Sequence, residues 1–192
     1  MLDPALIPLA QSALLIIDVQ DSFLLSPRWQ QRSNPAFEEN LTLLLALYRK
    51  HNLPVFFILH HDDDPGFRPS DPAVKLMDFL NHQPNEVVLH KFTRNAFTST
   101  HLQPLLLARG IRRLLITGIQ TEQCCETTTR VAADLGFAVD FLTDATRTFP
   151  IPDPSHPEHI LATDAIIERT EFVLRNRFAR IRSTREIASE LL

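Results

Sequence analysis

Glycine is the first scarcity. Only four occur among 192 residues, Gly66, Gly110, Gly118 and Gly136, and each is isolated, so neither a G-x-G-x-x-G turn nor a phosphate-cradling loop of bare backbone can be built. Dinucleotide and triphosphate binding by those routes is excluded. Cysteine is scarcer still, with Cys124 and Cys125 the two present. Being adjacent, they cannot staple distant segments, and no C-x-x-C pair exists for a structural zinc site or a redox motif. That excludes a disulfide-stabilised secreted module. Blocks of Lys/Arg are missing and the net charge is -4, so the electrostatic footprint of a nucleic-acid binder is lacking. The strongest apolar runs, residues 13–17, 43–47 and 55–59, fall far short of the roughly 20 residues that span a bilayer. Asp3 with no basic region reads as no secretory signal. The expectation is a cytoplasmic protein that takes neither nucleic acid nor membrane as a partner.

What is present is a chain with 44% apolar and 22% charged residues, long enough to bury a sizeable core as one domain over residues 1–192. Short apolar runs alternate with longer amphipathic segments, without repeats. The runs read as buried parallel strands: 13–17, 55–59, 87–89, 114–117, 138–142 and 179–181. Helices are expected at 35–51, 71–80, 98–109, 123–135 and from 156 to 169. Ser183, with Glu186 three residues on, reads as the capping box of a last short helix. This alternation argues for an α/β domain with a mostly parallel sheet and helices on both faces.

In such a sheet the ligand crevice lies outside the carboxyl ends of the strands. Asp18 follows the first strand, His60 to Asp64 the second, Lys91 the third and Gly118 to Cys124 the fourth, with Asp144 to Phe149 after the fifth. Reactive side chains from separate loops are therefore expected at one edge. Cys124 falls where the fourth strand turns into a helix, where the macrodipole lowers a thiol from about 8.5 into the range of roughly 3.5 to 7.5. Cys125, one residue further round, reads as a packed helix residue. A thiolate needs a proton shuttle and donors for the developing oxyanion. Asp18 supplies the first, with Lys91 as its partner. Taken singly, each is also what a structural ion pair or a solvated loop charge looks like.

The runs LLIIDVQDSF (Leu14 to Phe23), HKFTRNAFTSTHL (His90 to Leu102) and LLITGIQTEQCCETTTRVAADLGFAVDFLTDA (Leu114 to Ala145) resemble the isochorismatase-like cysteine hydrolase superfamily, in order and in register with G-x-x-T-x-x-C-x-x-x-T. The resemblance covers most of the chain. It implies a three-layer α/β/α fold with a mostly parallel, about six-stranded sheet of Rossmann-type topology. It also implies a catalytic triad of Asp18, Lys91 and Cys124, a thioester intermediate on Cys124, and a non-proline cis peptide at Ile119-Gln120. That bond would aim the amides of Gln120 and Cys124 at one point as an oxyanion hole. A homodimer or larger homo-oligomer is likewise implied.

Where the chain departs from the family, the expectation narrows. The nicotinamidase branch holds a metal through Asp-x-His and further histidines, whereas here the segment reads His60-His61-Asp62-Asp63-Asp64. Adjacent histidines on an extended segment point to opposite faces, so a metal site there is the alternative and a cofactor-free enzyme the expectation. Branches that cleave the vinyl ether of isochorismate typically lack the cysteine. Cys124 therefore argues for a hydrolase acting on a small-molecule amide, lactam or ureido carbonyl; the form G-x-Q-T-E-x-C resembles amide and lactam hydrolases. A non-catalytic or redox-sensing member is the remaining alternative. Phe23, Phe97, Gln120 and His61 are the expected substrate contacts, Trp29 a lid residue, and Arg94, Asn95 and Arg147 candidate anchors for a substrate carboxylate.

Overall fold

The computed structural model describes residues 6–192; Asp3 lies outside the described residues. Six strands, β1 (Ser12–Ile17), β2 (Val55–His60), β3 (Val87–Lys91), β4 (Arg113–Ile119), β5 (Ala138–Arg147) and β8 (Arg180–Arg182), form one sheet in the order β3-β2-β1-β4-β5-β8. Every neighbouring pair is parallel. A two-stranded antiparallel hairpin, β6 (Ile151–Pro152) with β7 (Ile160–Leu161), stands apart.

Strand composition explains the layering. β1, β2 and β4 are buried along their whole length, and successive side chains alternate between two cores. Leu14 and Ile16 face the side packed by α1 (Phe37–Lys50) and α5 (Thr184–Leu191). Ala13, Leu15 and Ile17 face α2 (Leu102–Ala108), α3 (Glu126–Asp134) and α4 (Thr163–Leu174). Burial on both faces is what turns these strands into continuous apolar runs. Ser183 caps α5 as expected, accepting from the Glu186 amide while the Glu186 carboxylate takes the Ser183 amide at 2.7 Å.

The helix expected at 71–80 does not form beyond a short 3-10 turn at Asp78–Leu80. Its backbone amides go elsewhere: Met77 donates to Val19 and Lys75 accepts from Asp21, strapping the segment along the exit of β1. The helix expected from 156 begins only at Thr163, because residues 151–161 fold as the hairpin. That expected from 98 begins at Leu102, since Asn95 and Thr100 side chains take the preceding amides into turns.

The strand order reverses between β1 and β4, and the crevice outside their carboxyl ends is where such folds bind ligands. Gly118 makes this contact possible. It pairs with Ile17 at φ 122°, and a Cβ there would lie 2.0 Å from the Ile17 carbonyl oxygen and 2.6 Å from its nitrogen.

Candidate active site

The ends of β1 and β3 and the turn after β4 meet at one point. Asp18 leaves β1 with φ 55°, a left-handed conformation that aspartate tolerates better than most residues. Its carboxylate is 1% exposed, and Oδ2 lies 2.8 Å from Nζ of the fully buried Lys91 at the end of β3. This is an ion pair without hydrogen-bond geometry, and Oδ1 has no partner among the described residues. Lys91 Nζ in turn donates to Cys124 Sγ at 3.3 Å and to the Thr93 carbonyl at 3.2 Å.

Cys124 stands in a π-helical turn, Thr121–Cys125, that runs directly into α3. The Gln120 carbonyl accepts from the amides of Gln123 and Cys125, both at 3.2 Å, while Thr121 Oγ1 donates to Thr146 Oγ1 at 2.9 Å. The Ile119–Gln120 peptide is cis. Burial pushes the Cys124 thiol well above its ordinary range, the Asp18 charge adds to this, and Lys91 opposes it. The expected low thiol pKa is therefore corrected: desolvation outweighs the helix terminus, and the resting sulfur carries its proton. Cys125 packs into the α2–α4 core, its thiol directed at the Thr117 carbonyl at 3.7 Å.

A cavity of about 280 Å³ opens over the sulfur. Asp18 and Cys124, both buried, line it together with the half-buried Gln120 and Gln123. One wall is aromatic, with Phe23 stacked on Phe149 at 5.9 Å and edge-on to Phe67 at 5.2 Å. His60, Asp62, Asp64 and Arg94 line the cavity from the β2 and β3 exits, with Ser22, Ser26 and Arg28 completing it. A second cleft of similar size, about 250 Å³, lies at the opposite end of β2 and β3, lined by Arg49, Glu86 and Arg109 among others, and contains no nucleophile.

Two expected substrate contacts are misplaced. Phe97 turns inward, stacking on Phe137 at 6.0 Å in the α2–α4 core, because Asn95 Oδ1 accepts its amide and tightens the turn. His61 points away from the cavity, with Nε2 2.6 Å from His90 Nδ1 and its ring stacked on Phe92 at 5.2 Å. Of the adjacent pair it is His60 that lines the cavity. Trp29 is buried in the core beside α1 rather than lidding the site. Arg147 is no anchor either: it is 1% exposed and lies between the rings of Trp29 and Phe37 at 4.8 and 4.3 Å. Asn95 is spent on its turn. Phe67, Phe149 and Arg28 were not foreseen as contacts, and only Phe149, on the rim after the fifth strand, carried a positional signal.

The histidine and aspartate cluster does not converge as a metal site, and among the described residues no group of three His, Cys, Asp or Glu is placed to hold an ion. Both nitrogens of His60 already have partners, Nδ1 with Lys91 Nζ at 3.0 Å and Nε2 with Arg94 Nη1 at 2.8 Å and Asp62 Oδ2 at 3.1 Å.

The isochorismatase domain model matches residues 12–174. The chain thus belongs to the isochorismatase family of hydrolases. It is 30% identical over 95% of its length to the uncharacterized isochorismatase family protein YrdC of Bacillus subtilis, covering 97% of that protein. Nicotinamidase 3 of Arabidopsis thaliana is 32% identical over 72% of this chain and 74% of its own. The crystal structure of an isochorismatase-family protein from Chromobacterium violaceum superposes with a TM-score of 0.87 at 30% identity, covering 95% of this chain and 94% of that one.

Proposed function

We propose that this chain is a cysteine hydrolase that cleaves a C–N bond of a small amide, lactam or ureido compound through a thioester on Cys124. One observation carries the reading: the Cys124 sulfur, the Lys91 ammonium and the Asp18 carboxylate stand in consecutive contact, 3.3 and 2.8 Å apart, in the depth of an aromatic-walled cavity.

The chemistry follows from the protonated thiol. As sulfur attacks the carbonyl carbon, Asp18 takes the S–H proton and Lys91 stabilises the negative charge that develops on sulfur before it passes to the carbonyl oxygen. The carbonyl oxygen becomes an oxyanion received by the amides of Gln120 and Cys124. Collapse breaks the C–N bond, Asp18 returns its proton to the leaving nitrogen, and the thioester remains. Water then gives a proton to Asp18 and attacks the thioester. The second collapse expels sulfur, which recovers the proton from Asp18, and the acid leaves. Desolvation that keeps the thiol neutral at rest also strengthens each of these charge contacts once substrate has excluded water.

A panel of amides, lactams and ureides, nicotinamide among them with and without added zinc, tests the reading by intact mass spectrometry. An acyl adduct on the wild-type chain, absent in Cys124→Ala together with turnover, is expected. Turnover that survives Cys124→Ala overturns it, and zinc-dependent turnover of nicotinamide would favour the metal-dependent alternative.

A further inference from the structure

His60 has one lone pair too few for its neighbours. Its ring, at the end of β2, stands with Nδ1 3.0 Å from Lys91 Nζ, while Nε2 is 2.8 Å from Arg94 Nη1 and 3.1 Å from Asp62 Oδ2. Lys91 and Arg94 can only donate. A neutral imidazole has one accepting nitrogen, so it bonds one of the two cations at a time. With the proton on Nε2 it donates to Asp62 and accepts from Lys91; with the proton on Nδ1 it accepts from Arg94 and turns a donor toward the ammonium. Burial and the Lys91 charge hold the ring's pKa below its ordinary value, which keeps it in this neutral regime. Gln20 fixes the strand end that carries the ring, accepting the His60 amide at 2.7 Å and donating to its carbonyl at 3.1 Å, and the side chain itself is 5% exposed.

The competition is lopsided in mobility. Lys91 is fully buried and tied to Asp18. Arg94 is 55% exposed, lines the cavity, and beyond His60 has only a loose 3.7 Å ion pair with Asp62 among the described residues. Asp62 is occupied, its Oδ1 accepting the Asp64 amide at 2.8 Å. Arg94 is therefore the partner a ligand can remove.

We propose that His60 is a positioning residue whose lone pair is contested by Lys91 and Arg94, and that the cavity takes small carbonyl compounds bearing a carboxylate, which draws Arg94 off the ring and leaves His60 to hold Lys91. A guanidinium fork matches a carboxylate, and the Phe23, Phe67 and Phe149 wall suits a flat apolar body beside it. Binding at the mouth is thereby transmitted to the ammonium that contacts the nucleophile. The coupling rests on the hydrolase reading for its purpose, but its test does not need turnover.

Sodium benzoate serves as the probe, and the readout is the nitrogen shift pair of the His60 ring by NMR at pH 7.5, assigned by its loss in His60→Asn. Benzoate is expected to move the pair saturably toward the Nε2-protonated tautomer. Arg94→Gln, an exposed change that leaves the fold alone, should show that tautomer without benzoate and no further shift with it. Absence of a saturable shift, a ring in Arg94→Gln like that of free wild type, or a benzoate shift that persists in Arg94→Gln overturns the proposal. Such a result leaves adduct formation on Cys124 standing, whereas failure of the amide panel leaves the benzoate response standing.

Discussion

Removing Lys91 should cost more than removing Lys91 and Asp18 together. The two form an ion pair at 2.8 Å with side-chain exposures of 0% and 1%, and breaking such a pair leaves a buried charge without compensation, at about 3–5 kcal/mol. Lys91→Met is the sharp perturbation, since methionine keeps the length of the side chain. With a urea dependence of about 2 kcal/mol per M for a domain of this size, its denaturation midpoint should fall by roughly 1.5–2.5 M. Asp18→Asn with Lys91→Met removes both charges at little change of volume, and asparagine accepts the left-handed backbone at φ 55° as aspartate does. The double variant should lie within about 1 kcal/mol of wild type. Neither variant should form an acyl adduct, so stability and reactivity separate. Midpoints from urea melts with a common slope decide it. Equal destabilisation of the single and double variants, or a Lys91→Met midpoint within about 0.5 M of wild type, refutes the reasoning, because the pair would then not be desolvated as its burial indicates.

Four further outcomes follow from the same geometry. Alkylation of Cys124 by iodoacetamide should be slow at pH 7 and still rising beyond pH 9, since the native thiol is shifted upward; a plateau below pH 8 contradicts this. The native state then holds a proton that the unfolded chain loses near pH 8.5, so stability should decline as pH rises above that point, measurable by urea midpoints. Phe97→Leu should lower the melting temperature through the core, by about 1–1.5 kcal/mol of lost packing, and leave KM unchanged, while Phe149→Leu should raise KM for whichever substrate the panel selects. Gly118→Ala should fail to yield folded protein or lose more than about 4 kcal/mol by circular dichroism melts, because its Cβ meets Ile17 backbone at 2.0 Å and no flexible side chain can give way.

The sheet was readable because β1, β2 and β4 are buried on both faces and so appear as unbroken apolar runs. Strand ends converging at one edge then bring Asp18, Lys91 and Cys124 together from the sequence pattern. Side-chain direction was not readable to the same degree. Phe97 lies close to Lys91 in sequence, yet a single Asn95 hydrogen bond turns it into the core. His60 and His61 are distinguishable only through register: His60 pairs with Lys91 across β2 and β3, so the two point to the same face, and no periodicity within β2 reveals a partner in β3. The segment 71–80 has helical spacing, but its amides bond the exit of β1, a long-range choice that local pattern does not encode. The thiol differs from its sequence pattern for a related reason: the helix terminus is a local feature, while burial of the sulfur is set by the whole crevice.

Gly118 divides the molecule into a part that can diverge and a part that cannot. The reacting groups hang from a contact between two backbones that leaves no room for a side chain, so substitution has no means of resizing the floor by degrees. Phe23, Phe67, Phe149 and Arg94, by contrast, stand on four separate connections outside the strands of the sheet. New selectivity in this scaffold, whether by drift or by library, is accordingly a matter of exchanging walls around a fixed reaction centre, one connection at a time.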